Sequence, residues 1–465
     1  GDHRRVSIRA RTAAAVARVT GRASRALGRG GGTAVPGHVL LRLDPHGIEH
    51  LSARIGGGSI LVSATNGKTS TTRLLAGALR TGGTPVVTNA AGANLLSGVA
   101  TTLAEAGGAL GDATRGVFEV DEAAMPAVAA RMGPRALLLM NLFRDQLDRH
   151  GELEAIAARW QGMIGTLPTS TRLVLCADDP LVASLAPARA DVTWFGIDDP
   201  GAAAADLPHA SDSTRCRACG EPLAYAAVWV GHIGAWSCPA CGLQRPRPAV
   251  RVVQAGLRGT TGSRPVIEIP GGRVTLDLAL PGLHNVLNAA GALAGAIAMG
   301  IPGEAAAQAI CRVPAAFGRA ERVAVGDRDV VLMLAKNPAG ANENVRTLLL
   351  DPGEHDLLVA LNDRIADGRD VSWIWDVDWE PLLPRIRRLT ATGERAHDLA
   401  LRFRYAGMPP ERLHVTDDPG RALDDALAAV APGGTLQVLP TYTAMHQIRA
   451  DLVARGAASD FWEAS

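Results

Sequence analysis

Lysine is almost missing from this chain. Two occur in 465 residues, Lys68 and Lys336, and arginine supplies the rest of the 47 basic side chains. A lysine kept in so arginine-biased a sequence marks a place where a compact ammonium serves and a planar fork does not, so both are candidate functional residues. A dominant charge sign is missing too. The 47 basic and 46 acidic groups leave a net charge of +1, which argues against a protein that holds nucleic acid through a general positive field. No apolar run reaches the roughly 18 residues that a membrane helix needs. No signal-peptide pattern opens the chain, so the expected location is the cytoplasm. Aromatic residues make up 4% of the chain, yet hydrophobic residues reach 47%, which excludes a disordered polymer. A chain of this length is expected to form two or three domains.

Residues 1–45 are rich in alanine and arginine, with apolar and basic side chains interleaved at helical spacing. They read as an amphipathic segment that either packs on the neighbouring domain or touches an anionic membrane face. From 46 to 316, short apolar runs ("SILVSA", "PVVTNA", "GVFEVDE", "ALLLMNL", "TRLVLCADD") alternate with segments long enough for crossover helices. This predicts an α/β domain on a mainly parallel sheet. "AVRVVQAG" and "RPVIEIPGGRVTLDLALPG" predict antiparallel strands, and "NVLNAAGALAGAIAMG" a helix. The texture changes near residue 317, and a second, smaller α/β domain is expected over 317–465.

In "SILVSATNGKTSTTRLLAGAL", residues 59–79, an apolar strand enters a glycine turn and then a helix. Such a turn offers phosphate a helix N-terminus with free N–H groups. Gly67 lets the backbone approach, Lys68 can reach the outer phosphates, and the Thr69 hydroxyl can bind Mg²⁺. Thr65, Asn66 and Ser70 complete the candidate loop. The usual eight-residue spacing puts glycine where this chain has Val62, so the strand–turn–helix context carries the reading. "FEVDEA" offers Glu119, Asp121 and Glu122 at a strand end, and Glu119 is the candidate magnesium ligand.

Four of the six cysteines form Cys216-x-x-Cys219 and Cys238-x-x-Cys241, with 18 residues between the pairs. Two such pairs predict two knuckles closing a tetrahedral, structural zinc site, a ribbon inserted at 212–246. Its flanks lack a basic cluster, which argues against nucleic-acid binding. Cys176 and Cys311 stand alone in apolar segments and read as small buried hydrophobes. Neither has the setting of a nucleophile paired with a histidine base.

Four stretches occur in an order that resembles the Mur ligase family. They are "ATNGKTST", "NLFRDQLDRHGE" (141–152), "LPGLHNVLNAAGALA" (280–294) and "FGRAERV" (317–323). The resemblance implies ATP-dependent activation of a carboxylate as an acyl phosphate, which an amine then displaces. It implies that Lys68 and Thr69 hold phosphates and Mg²⁺. It sets His284, Asn285 and Asn288 near the adenine or ribose, and Arg319 opposite the nucleotide across the domain cleft. Gln146 departs from the family's histidine, which puts a second metal ion in question.

The ribbon and the stretch "LNDRIADGRDVSWIWDVDWE" (361–380), together with the Mur-like core, are similar to the ligase-like subunit of two-subunit lipid II amidotransferases. That similarity implies amidation of the D-glutamate α-carboxylate of lipid II to D-isoglutamine, a step of peptidoglycan synthesis. A GatD-like glutamine amidotransferase partner, forming a heterodimer with this chain, would supply the ammonia. It further implies that one aspartate of the acidic, tryptophan-rich stretch completes the partner's Cys–His pair. Asp370 is the candidate, with Asp367 and Asp376 as alternates among Asp363, Asp367, Asp370, Asp376 and Asp378. Two other readings stand beside this one: a self-sufficient muramyl-peptide or folyl-glutamate type ligase, and a nucleotide-binding scaffold without catalysis.

Overall fold

The structure, a computed structural model, describes residues 8–26, 34–89, 92–144, 153–186, 189–208, 211–314 and 319–458. Two sheets organise it. The first has nine strands in the order β11-β10-β9-β6-β5-β4-β1-β3-β2. They are β1 Ser59–Ser63, β2 Val86–Thr88, β3 Arg115–Glu119, β4 Ala136–Leu139, β5 Arg172–Cys176, β6 Val192–Ile197, β9 Val250–Gln254, β10 Val266–Ile269 and β11 Gly272–Thr275. β2-β3-β1-β4-β5-β6-β9 run parallel, and β10 and β11 turn antiparallel at the edge.

The residue pattern explains this layout. All five residues of β1 and all four of β4 are buried, as continuous apolar runs must be when helices cover both faces of a parallel sheet. Phe118 on β3 and Phe195 on β6 are fully enclosed, each worth about 2 kcal/mol or more in apolar area removed from water. β1 has β3 on one side and β4 on the other; the chain leaves β1 toward β2 on the β3 side, and from β3 it crosses over β1 to β4 on the opposite side. That makes β1 the switch point, whose C-terminal end opens the crevice where such sheets bind ligands.

Helices α1 (Ile8–Ala26), α2 (Val35–Leu43), α3 (Gly47–Ser52), α4 (Lys68–Leu79) and α5 (Leu96–Ala106) pack on or beside this sheet. α1 turns Ala13, Ala14 and Ala17 inward and leaves Val16 and Val19 exposed.

The second sheet has the order β12-β13-β17-β14-β15-β16, from β12 Arg319–Val325, β13 Arg328–Met333, β14 His355–Ala360, β15 Ile386–Thr392, β16 Leu413–Val415 and β17 Thr435–Pro440. Its core strands are parallel, and β12 is antiparallel at the edge. Residues 315–318, where the texture change was placed, lie outside the described residues. A third, two-stranded sheet, β7 Ala224–Val230 with β8 Ile233–Ser237, forms a hairpin between β6 and β9.

Candidate active site

β1 delivers the chain into the turn 64–67, where Gly67 adopts φ 88° and heads α4. The first intrahelical bond runs from the Thr71 N–H to the Gly67 carbonyl (2.9 Å). The N–H groups of Lys68, Thr69 and Ser70 therefore precede the helix's own ladder, at its positive end. Glycine is required twice over at 67. Its left-handed φ strains any other residue, and a Cβ there would lie 2.1 Å from Asn288 Oδ1.

The segment after β4 braces the turn. Asn141 accepts the Thr65 N–H on its carbonyl (3.0 Å), accepts the Asn66 N–H on its side chain (2.9 Å), and donates to the Asn66 carbonyl (3.0 Å). Phe143 N–H donates to Thr65 Oγ1 (3.0 Å), which donates onward to the Phe143 carbonyl (3.2 Å).

Lys68 is buried. Its ammonium donates to the Ala64 carbonyl and to Glu122 Oε2 (2.8 Å). The lysine's partner is thus Glu122 and not Glu119, although both come from the same strand end. Glu119 is also buried and lies opposite Val62 on β1. Asn89 fixes its backbone, accepting the Glu119 N–H (2.9 Å) and donating to its carbonyl (2.8 Å). Its carboxylate takes no hydrogen bond from a described residue, and carboxylate oxygens are donors of the kind that a magnesium ion takes.

Across the turn stands the helix Pro338–Leu350 of the second sheet. Asn66 and Asn337 exchange amide bonds (2.9 and 3.3 Å), while Asn337 Oδ1 caps its own helix at the Gly340 N–H (2.9 Å). Gly282 (φ 85°) comes so near that a Cβ would lie 2.8 Å from Thr347 Oγ1. The cleft between has a volume of about 80 Å³, and Asn66, Gly67, Ser70, His284, Asn285, Lys336, Glu343 and Asn344 are among its lining residues. Inside it, His284 Nδ1 and Glu343 Oε2 lie 3.8 Å apart, buried and without a hydrogen-bond partner. Two orphaned polar atoms in a cleft beside a phosphate-type turn fit a polar ligand there. Asn285 holds the Pro281 carbonyl (2.8 Å) and takes a bond from Asn288 (3.1 Å).

Of the expected residues, Asn66, Gly67, Ser70, His284 and Asn285 line the cleft; Thr65 is held behind it by Phe143, Lys68 by Glu122, and Asn288 bonds to Asn285 against Gly67, while Thr69 follows Lys68 in the first turn of α4. Arg319 opens β12 beside Ala320, which lines the cleft, and its side chain lies outside the described residues. So does Gln146. Asn141, Asn337, Glu343 and the Lys68–Glu122 pair are additions that sequence reasoning missed. Asn141 does open one of the four quoted stretches, and Asn337 directly follows Lys336.

The four cysteine sulfurs lie within 4.8 Å of one another, with Cys216–Cys241 at 3.6 Å and Cys219–Cys238 at 3.5 Å. A metal–sulfur distance of about 2.3 Å places tetrahedral sulfurs about 3.8 Å apart, so the cluster could hold a metal ion. Each pair closes a knuckle on a glycine of positive φ, Gly220 (79°) and Gly242 (76°), whose N–H groups bond back to the Cys216 and Cys238 carbonyls (2.7 and 3.0 Å). The Cys241 N–H leads in drawing the Cys238 thiol down to about 7. Cys176 is the opposite case. Burial, then the charges of Asp178 and Asp179, hold its thiol well above the ordinary value.

The stretch 362–380 does not act as one surface. Trp379 is 1% exposed and packs on Phe403 with ring centroids 4.9 Å apart. Trp375 is 46% exposed and, with Tyr405 at 76% and Ile365 at 71%, faces outward. Among the aspartates, Asp367 is buried and takes both the N–H (2.7 Å) and the hydroxyl (2.5 Å) of Thr443. Asp376 pairs with Arg144 (3.3 Å) and Asp363 with Arg395 (3.1 Å). Asp370 is exposed and held by the following turn, where the Ser372 side chain first, and then its N–H (2.9 Å), lowers the carboxyl below its usual value.

A phosphate-type turn at the switch point of a parallel sheet, closed by a second α/β domain across a cleft, is the arrangement of a Mur-type ligase. The Mur ligase middle domain family matches residues 62–233, and the MurT ligase C-terminal family matches residues 334–445. The lipid II isoglutaminyl synthase (glutamine-hydrolyzing) subunit MurT of Streptococcus pneumoniae is 32% identical over 429 residues, 92% of this chain and 93% of that protein. The chain belongs to the MurT family of Mur ligases.

Solved structures repeat the fold. A pseudomurein peptide ligase type C from Methanothermus fervidus aligns with a TM-score of 0.66 at 19% identity, covering 87% of this chain and 80% of its own. The MurF ligase of Thermotoga maritima in complex with ADP aligns with a TM-score of 0.65 at 14% identity, covering 90% and 84%. Among the described residues no helix is long and apolar enough to cross a membrane.

Proposed function

We propose that this chain is the ATP-using subunit of a lipid II amidotransferase, converting the D-glutamate α-carboxylate to D-isoglutamine with ammonia from a glutaminase partner. The observation that carries the reading is the buried Lys68 at an intact phosphate turn, in a chain that matches a lipid II isoglutaminyl synthase subunit over 92% of its length.

The carboxylate oxygen attacks the γ-phosphorus and ADP leaves. Ammonia then attacks the carbonyl carbon of the acyl phosphate, phosphate departs with one of the original carboxylate oxygens, and a proton passes to solvent. Catalysis here is largely positioning and charge neutralisation. Lys68 exchanges Glu122 for the outer phosphates, and the N–H groups opening α4 cradle them. His284, Asn285 and Asn288 take the adenine or ribose side, and Arg319 faces the nucleotide from the second domain. The Thr69 hydroxyl and Glu119 would hold magnesium, which would supply neutralisation of phosphate charge, and Gln146 bears on whether a second ion would bind. Closure of the helix Pro338–Leu350 over the turn keeps water from the activated acid. Zinc is the ion proposed for the four cysteines, in a structural role, since four thiolates leave no open position.

Asp370 is proposed as the residue that orients the partner's catalytic histidine. Its carboxylate is exposed and ionised, whereas Asp367 is committed to Thr443. The exposed pair Trp375 and Tyr405, with ring centroids 5.7 Å apart, supports docking of that partner on the C-terminal domain. The proposed division remains 1–45, 46–316 and 317–465. Val16 and Val19, exposed on the arginine-rich α1, support a peripheral contact with the inner membrane face, where a lipid-linked substrate would lie.

The test is amidation of purified lipid II by the chain with and without its partner, using glutamine or ammonium. The reading expects ATP-dependent product from glutamine only when the partner is present. Product from glutamine with this chain alone would overturn it, and use of an amino acid in place of ammonia would return a self-sufficient ligase.

A further inference from the structure

The β7–β8 hairpin joins two places that have no obvious business with each other. Cys238 directly follows β8, so the knuckles sit at one end of the hairpin. Six residues away, about 20 Å along an extended strand, its turn at Gly231 and His232 reaches the nucleotide cleft, which Val230 lines.

His232 is wholly enclosed. Its Nε2 lies 3.4 Å from Asp179 Oδ2, and its ring packs against Phe143, tilted by 50° with centroids 4.6 Å apart. Gly231 (φ 57°) permits the approach, since a Cβ there would stand 2.7 Å from the same phenyl ring. Asp179, equally enclosed, takes the Leu142 N–H on the oxygen that faces His232 (2.9 Å) and caps the short helix Pro180–Ala183 with the other. Leu142 and Phe143 belong to the segment that grips Thr65 and Asn66 of the phosphate turn. The hairpin is anchored from two further sides. Arg245, just past the second knuckle, binds Asp178 (2.7 Å) and lies over the Trp229 ring (5.0 Å). Arg346, from the helix Pro338–Leu350, donates to the Trp229 carbonyl.

A buried histidine that costs the fold an unpartnered Nδ1 is explained poorly by packing alone. We infer that His232 is a positioning residue for the phosphate turn, acting through Asp179 and the segment 141–143, and that the hairpin makes the turn's geometry depend on the four-cysteine centre. The inference rests on the nucleotide reading of the cleft.

The test uses the full chain with its partner subunit and two readouts. One is the affinity for ADP with Mg²⁺ by calorimetry. The other is amide exchange of the peptide spanning 61–67 without nucleotide. His232→Ala is expected to weaken ADP about tenfold and to speed exchange in that peptide. His232→Gln, whose amide can still donate to Asp179, restores most of both. Cys219→Ser is expected to produce the same two changes, and the double variant no more than either single one, because both break one path. Unchanged ADP affinity and exchange in His232→Ala, equal losses in His232→Ala and His232→Gln, or losses that simply add in the double variant would overturn the inference. If the unaltered protein fails to bind ADP, the nucleotide reading falls, and the exchange arm still decides whether His232 positions the turn.

Discussion

The phosphate turn and the stretch 362–380 both drew attention as dense, unusual runs of sequence, and they differ in how much of that density serves one purpose. In the turn, Asn66, Gly67 and Ser70 line one cleft, and the segment 141–143 braces Thr65 and Asn66 with hydrogen bonds of 2.9 to 3.0 Å. The stretch 362–380 divides its residues among three tasks. Trp379 fills the core, Asp367 ties the loop to Thr443, and Trp375 and Asp370 are left outside. A site built on a helix start is contiguous because phosphate needs consecutive N–H groups. A loop that presents itself to another protein needs only a few outward side chains on a well-anchored base.

The comparison makes separable predictions. The largest effect is expected from Asp370→Asn, which should lower glutamine-dependent amidation by the partnered enzyme about 10³–10⁴-fold while ammonium-dependent amidation stays near normal. Equal loss of both would place Asp370 in folding or in the ligase step. Lys68→Ala should lower amidation about 10²–10³-fold with either nitrogen source, read from ADP release. A fall confined to glutamine would merge the two regions that the comparison keeps apart.

Gly67→Ala should cost about 2–3 kcal/mol in thermal unfolding and also remove ADP binding, because the new Cβ meets Asn288. A destabilised variant that still binds ADP would show the turn can adjust. Smallest is Asp367→Ala, expected to cost about 1–3 kcal/mol through Thr443, with the preference between glutamine and ammonium unaltered. Lost glutamine use at full stability would exchange the roles of Asp367 and Asp370.

What was legible in the sequence follows the same division. The strand–turn–helix around Lys68 and the two Cys-x-x-Cys pairs are local patterns, and the chemistry of each depends on spacing along the chain. Glu122 as the partner of Lys68, Asn141 as the brace and Asn337 as the link across the cleft depend on which strand ends meet, and nothing local shows that. β15 is not legible locally, because Arg387 and Arg388 interrupt its apolar run. Arg387 is satisfied by Asp356 on the adjacent β14, a pairing visible only in the sheet. β6 escaped because its polar and aromatic residues do not form an unbroken apolar run, although the sheet encloses Phe195 and Ile197 fully. The tryptophans of 373–379 show the converse: composition flagged all three together, while burial separated Trp379 from Trp375.

The central claim is that this chain activates the carboxylate by phosphorylation before nitrogen arrives. Lipid II carrying a heavy-oxygen label in both α-carboxylate oxygens tests it directly in the partnered enzyme with ATP and glutamine. Each amide formed should be matched by one phosphate bearing one labelled oxygen, with the other retained in D-isoglutamine. Phosphate released without the label, while amide still forms, would contradict the account.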